Sequence, residues 1–529
     1  MDNSSKQNPN ESGQIFSGGK EPPNEQSAYQ AAVFSSAEET KQETQSQESA
    51  PQAVYQEPSS PPPPDDTFSP PPPFVEDPRR KFLTIILILI LILGGGFFLL
   101  KFLTSKKSNQ TASSSKTKIT LNYWGLWEEP EVLRPIFEKY QKTNPSIEIK
   151  YQRQDTADYR ERLQAAIERG DGPDIFRFHN TWMPMMAKYN SPLPKDVMSD
   201  DEFKKTFYPV VSRDLNINGY FYGLPLEIDG LMLFYNEDIL NGAGVAVPKT
   251  WVDIQNAQPL LTVKDSNNRI ITSAIALGTA GNIEHFSEIL GLMMLQNGTQ
   301  LNKSLTSCGD SGITDCAVQA LTFYHSFAGN SGSTWDDSLE NSITAFAGGK
   351  VAMIFAPSWQ ATVINQINPN LHFKTAKLPQ LPCNQNPCPE VDWATYWTEG
   401  VSVKSKHQKE AWQFLKYMVS PETQQALYAE QSKVRKLFGE PYSRTDLGKN
   451  LKDNPYLAPL ISMAPNMQSF YLSSRTFDGA TGLDSSLINY LKDAVNSLKE
   501  GGVSEETAIK TADSGFQEVF NRFNLVSPQ

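Results

Sequence analysis

The residue patterns that mark common enzyme active sites are incomplete or missing in this sequence. The stretch CGDSG (308–312) is similar to the nucleophile loop of serine proteases, but it lacks the Gly-Pro that follows there. None of the 5 histidines has the Ala-Ala-His-Cys context of the matching base. No histidine pair has the H-E-x-x-H spacing of zinc proteases, and no G-x-x-x-x-G-K-S/T segment can bind nucleotide phosphates. These patterns predict a chain that is not an enzyme and holds no metal or cofactor.

Glu227 and Asp229 form a carboxylate pair whose spacing suits chemistry on sugars. Two residues apart on a strand, they share a face and lie roughly 7 Å apart, which does not exclude glycoside hydrolysis. The sequence offers no other candidate pair of acid and base. An enzyme that acts on glycans therefore stays as an alternative to a chain that only binds them.

Four of the 9 tryptophans stand at the ends of apparent strands, next to polar side chains. These sites are Trp127 with Glu128 in YWGLWEE (123–129), Asn180 with Trp182 in FHNTW (178–182), Trp359 after VAMIF (351–355), and Trp397 with Glu399 in WATYWTEG (393–400). Each one alone would fit a packing residue, but four at equivalent positions favour a shared aromatic cleft. A flat ring stacks on the apolar face of a sugar, and carboxylates and amides beside it bond the hydroxyls. The pattern therefore predicts a sugar-binding site.

The segments that would position these residues alternate between strand and helix. The alternating runs 119–124, 147–151 and 173–178 read as strands, and the runs 131–144 and 158–170 have helical spacing. Strand–helix–strand–helix–strand order predicts parallel strands covered by helices, hence an α/β fold. In such sheets ligands bind at the C-terminal ends of the strands, where Trp127, Trp182 and Trp359 are expected, whereas Trp397 immediately precedes the apolar VSV run (401–403).

The first 117 residues differ in composition from the rest. Residues 1–78 are rich in Pro, Ser, Gln and Glu and carry a net charge of −10, which predicts a disordered tail. Residues 82–100 form an uncharged apolar run, about 28 Å long as a helix, which predicts a retained transmembrane helix over 79–103. A buried core helix, a cleaved signal peptide and a lipoprotein anchor each fit this run less well. Residues 104–117 are predicted to be a flexible linker.

The 4 cysteines, all C-terminal to the apolar run, bear on its orientation. Lysines and arginines are equally numerous on its two sides, so the positive-inside rule does not decide. Cys308 with Cys316, and Cys383 with Cys388, form two close pairs that suit local disulfides. Disulfides would place the C-terminal part in an oxidising, extracytoplasmic compartment and the N-terminus in the cytoplasm. Four buried thiols are the alternative, and neither spacing fits a structural zinc site.

Four segments, in order along the chain, resemble one known family. They are GDGPDIFRFHNTW (170–182), GYFYGLPLEIDGLMLFYNEDIL (219–240) with VPKTWVDI (247–254), FAGGKVAMIFAPSW (346–359) and KEAWQFLKYMVSPETQQAL (409–427). The sequence is similar here to extracellular solute-binding proteins of family 1, the maltose-binding-protein-like receptors of ABC sugar importers.

The resemblance implies a two-lobe fold of the type II periplasmic-binding-protein class over residues 118–523. Lobe one would comprise about 118–229 and 372–420, and lobe two about 235–370 and 424–523. Hinge strands would join the lobes, and a ligand between them would hold the closed form.

The resemblance also implies roles for single residues. Trp359 would stack on the sugar from lobe two, and Asp229 would be the acidic cleft residue before the hinge. Residues on the first-lobe loops and a late aromatic contact would complete the site: Trp127, Glu128, Asn180, Trp182 and Tyr471. WTEGVSV replaces the family's Gly-rich segment and PCNQNPCPE (382–390) resembles an insertion, so Trp397 and Glu399 rest on the aromatic pattern alone.

The expected partners follow from the family and from the composition. A permease and an ATPase on separate chains would take up the ligand, because this chain has one apolar run and no phosphate-binding loop. The net charge of −8 over 108–529 disfavours nucleic acid and anionic lipid surfaces. A ligand sensor or adhesin that uses the same fold is the alternative. The acidic tail would bind a cytoplasmic partner or serve as an inert spacer.

Overall fold

The structure is a computed structural model that describes residues 118–309, 314–328, 332–383, 387–499 and 502–525. The predicted tail (1–78), transmembrane segment (79–103) and linker (104–117) lie outside these residues. Within them, the helices are too short or too polar to cross a membrane.

The described strands form two main sheets, of four and five strands, and two small sheets of two strands each, and helices cover the main sheets. The strands are Ile119–Gly125 (β1), Ile147–Arg153 (β2), Ile175–His179 (β3), Asn216–Ile217 (β4), Tyr220–Phe221 (β5), Leu231–Asn236 (β6), Val263–Lys264 (β7), Ile270–Ile275 (β8), Val351–Pro357 (β9), Phe373–Ala376 (β10), Asp392–Trp393 (β11), Trp397–Val401 (β12) and Met467–Gln468 (β13). The α-helices are Pro130–Thr143 (α1), Tyr159–Arg169 (α2), Met183–Met186 (α3), Asp200–Thr206 (α4), Pro209–Asp214 (α5), Glu237–Ala243 (α6), Trp251–Leu261 (α7), Phe286–Gln296 (α8), Cys316–His325 (α9), Ser342–Ala347 (α10), Gln360–Ile367 (α11), Gln408–Met418 (α12), Pro421–Arg435 (α13), Ala458–Met463 (α14), Leu483–Lys499 (α15) and Glu505–Arg522 (α16).

The first sheet has the strand order β12-β3-β1-β2. Strand β1 runs parallel to β2 and β3, as the alternating pattern predicts, and β12 runs antiparallel to β3 with Trp397 opposite His179. Helix α1 buries one face against the sheet, and α2 ends at Gly170, whose φ of +84° suits glycine. Because β12 is antiparallel, its first residue lies at the same edge of the sheet as the last residue of β3.

The second sheet has the order β10-β6-β9-β8-β7, and its middle strand, β9, is the apolar run VAMIF with its flanks. All 7 residues of β9 are buried, since neighbouring strands flank it and helices cover the sheet. This central strand delivers Trp359 to the edge of the sheet two residues after its end.

The chain changes sheets at points that differ from the predicted lobe boundaries. Strand β10 pairs with β6 of the second sheet, although the family resemblance implies that residues from about 372 belong to lobe one. Helix α13 packs against α1 of the first sheet, although the resemblance implies that residues from about 424 belong to lobe two. A resemblance carried by four short segments does not determine where the chain changes sheets between them.

Two chain segments that run between the sheets meet at Gly230 and Ala394, and we call this point the crossing. It is closely packed around Gly230. Gly230 forms a bridge with Ala394, and β11 pairs with β13 beside it. A Cβ atom on Gly230 would lie 2.0 Å from the carbonyl oxygen of Trp393. Glycine is therefore required where these two backbone segments meet.

Gly230→Ala should lower the free energy of unfolding by about 1–3 kcal/mol, because the added methyl group forces the crossing segments apart. The matched control is Gly242→Ala in α6, where an added Cβ has no atom within 4 Å. Alanine there should raise stability by about 0.5–1 kcal/mol through its higher helix propensity. Urea denaturation of both variants measures the difference. Equal stabilities would contradict the close packing at the crossing.

Candidate ligand-binding site

Aromatic side chains gather at the edge of the first sheet where β1 and β3 end. The Trp127 ring lies 5.5 Å from that of Trp397, and the Trp397 ring lies 5.4 Å from Trp182 and 5.1 Å from His179. Trp127 is 36% exposed, and Trp397 is half-buried. The structure thus brings three of the predicted tryptophans together, with Trp127 outermost.

Trp182 differs from the other predicted contacts because its side chain has no exposed surface. A short 3₁₀ turn, Asn180–Trp182, follows β3 directly and turns the indole into the core beside Tyr159. The ring therefore supports Trp397 from beneath. Its position in the sequence could not distinguish a cleft residue from this core residue.

Glu128 and Glu399 are engaged with one buried arginine, Arg177 of β3. Arg177 Nε donates to Glu399 Oε1 at 2.6 Å, and its Nη1 donates to Glu128 Oε2 at 3.1 Å. Arg435, at the end of α13, donates to Glu128 Oε1 at 3.0 Å and to Glu440 Oε1 at 2.8 Å. Both predicted ligand carboxylates are thus buried ion-pair partners, and sequence reasoning missed the arginine between them.

Burial and mutual repulsion shift the pKa values of this carboxylate cluster. Burial, with the neighbouring charge of Glu440, raises the pKa of Glu128 to about 7, against the pull of the two guanidinium groups. Burial likewise raises the pKa of Glu399 and Glu227. Although burial opposes the ionised form of Glu440, Arg435 and Arg177 hold its pKa well below the ordinary value.

Asp229 and Trp359 meet at the edge of the second sheet. The backbone N–H groups of Ser358 and Gly230 donate to Asp229 Oδ1 at 2.9 Å and 2.7 Å, and the Ser358 hydroxyl donates to Oδ2 at 2.8 Å. Asp229 is buried, while Trp359 is 36% exposed with its ring 6.1 Å from that of His285. The predicted acidic cleft residue thus holds the turn that presents the tryptophan.

Asn180 and Tyr471 lie close to an aspartate that the sequence did not point to, Asp214. Asn180 Nδ2 and the Tyr396 hydroxyl donate to Asp214 Oδ2 at 2.8 Å and 2.9 Å, and the Ser469 hydroxyl donates to Oδ1 at 2.6 Å. Burial, with the nearby charge of Asp214, raises the pKa of Tyr471. Asp214 ends the short helix α5, and no feature of its sequence context marks it.

Residues 473–479 (SSRTFDG), which we term the strap, also reach this region. Phe477 of the strap is 38% exposed, and its ring lies 5.9 Å from that of Trp127. The predicted late aromatic residue, Tyr471, lies two positions before the strap. The sequence showed a second aromatic residue there but gave no reason to place it beside Trp127.

The family model for bacterial extracellular solute-binding proteins matches residues 125–425, more than half of the chain. The chain belongs to this family. Among relatives, the maltodextrin-binding protein MdxE of Bacillus subtilis is 23% identical over 410 residues, which cover 74% of this chain and 92% of MdxE. The multiple sugar-binding protein of Streptococcus mutans is 23% identical over 335 residues, or 60% of this chain and 76% of that protein.

Solved structures show the same fold. The sugar-binding protein MalE from Xanthomonas citri superposes on this solute-binding protein with a TM-score of 0.60 at 19% identity, covering 77% of this chain and 98% of MalE. The resemblance inferred from four short segments is confirmed, and with it an α/β fold shared with two-domain binding proteins.

Arg177→Met should lower the free energy of unfolding of this solute-binding protein by about 3–5 kcal/mol, because it leaves buried carboxylates without their cation. The control is Arg134→Met, which removes an arginine whose ion pair with Glu131 is exposed. That change should stay within about 1 kcal/mol of wild type. Similar losses in the two variants, measured by urea denaturation, would contradict a central role for Arg177.

Asp229→Asn should change how stability depends on pH. Burial raises the pKa of Asp229 to about 6, although bonds from Ser358 and Gly230 oppose the shift. A raised folded-state pKa means that the stabilisation is complete below about pH 4 and is lost as pH rises through 6. Between pH 4 and 7, the free energy of unfolding of wild type should therefore fall by about 1–3 kcal/mol relative to that of the variant. Parallel pH profiles of the two melting temperatures would contradict this assignment.

Proposed function

We propose that this protein is a receptor that captures a sugar, in particular an oligosaccharide, outside the cytoplasm and delivers it to an ABC-type importer. The observation that carries the proposal is the pair of exposed indoles, Trp127 and Trp359, at the edges of the two sheets. Buried polar groups support both rings: Arg177 and its carboxylates lie next to Trp127, and Asp229 holds the turn before Trp359. Exposed rings on rigid supports are the stacking surfaces that sugars require.

The structure changes the residues that we assign to ligand contact. Trp127, Trp359 and Trp397 are the proposed stacking surfaces, and Asp214 and Tyr471 are the proposed polar contacts. The remaining predicted residues are assigned instead to the support of these, because their side chains are buried among other protein groups: Glu128, Asn180, Trp182, Asp229 and Glu399. Glu227, the other half of the candidate catalytic pair, is also buried and accepts from the backbone N–H of Trp397.

The names of two relatives, a multiple sugar-binding protein and a maltodextrin-binding protein, support a sugar as the ligand. Transport would follow from closure, since a ligand that touches both lobes stabilises the closed form. The run 82–100 would tether the receptor to the membrane and raise its effective concentration near a permease, with an ATPase as a further separate chain.

Trp359→Ala should weaken sugar binding by about 1–3 kcal/mol, the scale of a central aromatic anchor. The first experiment is a thermal-shift screen against monosaccharides, mannobiose, maltotetraose and polyols. A bound sugar at a hundredfold excess over Kd should stabilise the protein by about 2.7 kcal/mol.

The matched control is Tyr220→Ala, which removes an exposed aromatic ring on the small β4–β5 sheet. It should leave binding unchanged. If only non-sugar ligands stabilise the wild-type protein, the assigned fold stands but the proposed sugar ligand is wrong. Equal sugar affinities in wild type and Trp359→Ala would reject the assigned cleft.

A further inference from the structure

The strap has an unusual backbone for a segment with few glycines. Arg475 and Phe477 have φ values of +58° and +55°, and Gly479 has +78°. Left-handed conformations are unfavourable for arginine and phenylalanine, so surrounding contacts must hold them. Those contacts come from both sheets.

On the side of the second sheet, the strap is fixed to the start of α8. The Ser474 N–H and hydroxyl donate to Glu288 Oε1 at 2.8 Å and 2.9 Å, and Arg475 forms an ion pair with Glu284. His285 Nδ1 also lies 3.1 Å from Glu288 Oε1, and the His285 ring contacts Trp359. The strap thus bonds Glu288 directly, and Trp359 is connected to the same carboxylate through His285.

On the side of the first sheet, the strap is fixed to α2. Arg160 Nε donates to the backbone oxygen of Asp478 at 2.7 Å, and a Cβ on Gly479 would lie 2.2 Å from Glu161 Oε1. The Asp478 carboxylate accepts from the Asp484 N–H at 2.7 Å, so it also fixes the strap to the first turn of α15. The segment thus joins α2, which follows β2 in the chain, to the start of α8, which follows β8.

These anchors keep the ring of Phe477 partly exposed beside the exposed ring of Trp127. The two ring planes are tilted by 49°. Apolar ring surface that stays exposed to water costs free energy relative to burial, and the contacts that fix the strap keep this surface exposed. A ligand that covers both rings would offset that cost.

Trp127 and Trp359 belong to different groups of rings. Trp127 contacts Trp397 and Phe477, whereas Trp359 contacts His285, and in the described part of the chain no ring links the two groups. The two groups are therefore separate aromatic surfaces, each with its own supporting contacts.

We propose that Phe477 is a ligand-binding residue that forms a second stacking position with Trp127, and that this position selects oligosaccharides over monosaccharides. The inference rests on the proposed function, because it assigns the second sugar ring of the same ligand. Trp359 holds one ring in either case, whereas the pair of Trp127 and Phe477 contacts only a longer ligand.

Isothermal titration of the intact chain tests the proposal with two matched series, glucose with maltotetraose and mannose with mannobiose. In the series that binds, Phe477→Ala should weaken binding of the longer sugar about tenfold and leave the monosaccharide unchanged. Trp359→Ala should weaken both. Phe477→Tyr keeps a flat ring and should bind the longer sugar as wild type does. Tyr220→Ala should change the affinity for neither sugar.

The outcomes separate the inference from the function on which it rests. If Phe477→Ala binds the longer sugar as tightly as wild type does, the inference is overturned, but the proposed receptor function stands. Equal losses for both sugars would also overturn it, because selectivity would then lie elsewhere. If wild type binds neither series nor any sugar of the thermal-shift screen, the sugar receptor itself is rejected.

Phe477→Leu is the control for the case in which Phe477→Ala disturbs the conformation of the strap. It keeps an apolar side chain of similar size but removes the flat ring. If Phe477→Ala melts at a lower temperature than wild type without ligand, Phe477→Leu should still lose the longer sugar. Wild-type affinity in Phe477→Leu would overturn the stacking role.

Discussion

The guanidinium group of Arg177 is the constraint from which the geometry of the first sheet edge follows. A buried charge is tolerated only when it is paired, and Arg177 is paired with Glu399 of β12 and Glu128 after β1. Trp127 immediately precedes Glu128, and Trp397 is two residues before Glu399. The ion pairs therefore fix the backbone on which both indoles stand. Arg435 and Glu440 extend the cluster to α13, which explains why that helix stays with the first sheet.

In the second sheet, a different interaction holds the exposed indole in place. Its central strand is apolar throughout, and one carboxylate, Asp229, holds the turn between Ser358 and Trp359. Asp229 belongs to the segment that crosses between the sheets, next to Gly230. The support of Trp359 is thus continuous with the crossing, whereas the support of Trp127 lies within one sheet. A movement at the crossing would act on Trp359 more directly than on Trp127.

The sequence predicted the local elements well where the hydrophobic period was clear. Alternation and helical spacing predict the bounds of β1, α1, β2 and α2 to within about two residues. It failed where two environments produce the same local pattern. A glutamate near a tryptophan has the same local pattern in a cleft and in a buried ion pair, so the sequence predicts ligand contacts at Glu128 and Glu399 where the structure has ion pairs. Arg177, inside the apolar strand PDIFRF, was the available signal, because a buried arginine requires carboxylates nearby.

The supports of these rings bear directly on affinity. A ring that must be ordered when the ligand binds costs conformational entropy, and a ring that is already fixed does not. Trp127 rests on Trp397, which rests on Trp182 and on a strand pinned by Arg177. Phe477 is the exception, because its position depends on a strap held by contacts to both sheets. In the proposed receptor, closure that changes the distance between α2 and α8 would move Phe477 relative to Trp127, while each tryptophan keeps its own support. Phe477 is then the part of the proposed site whose position depends on closure.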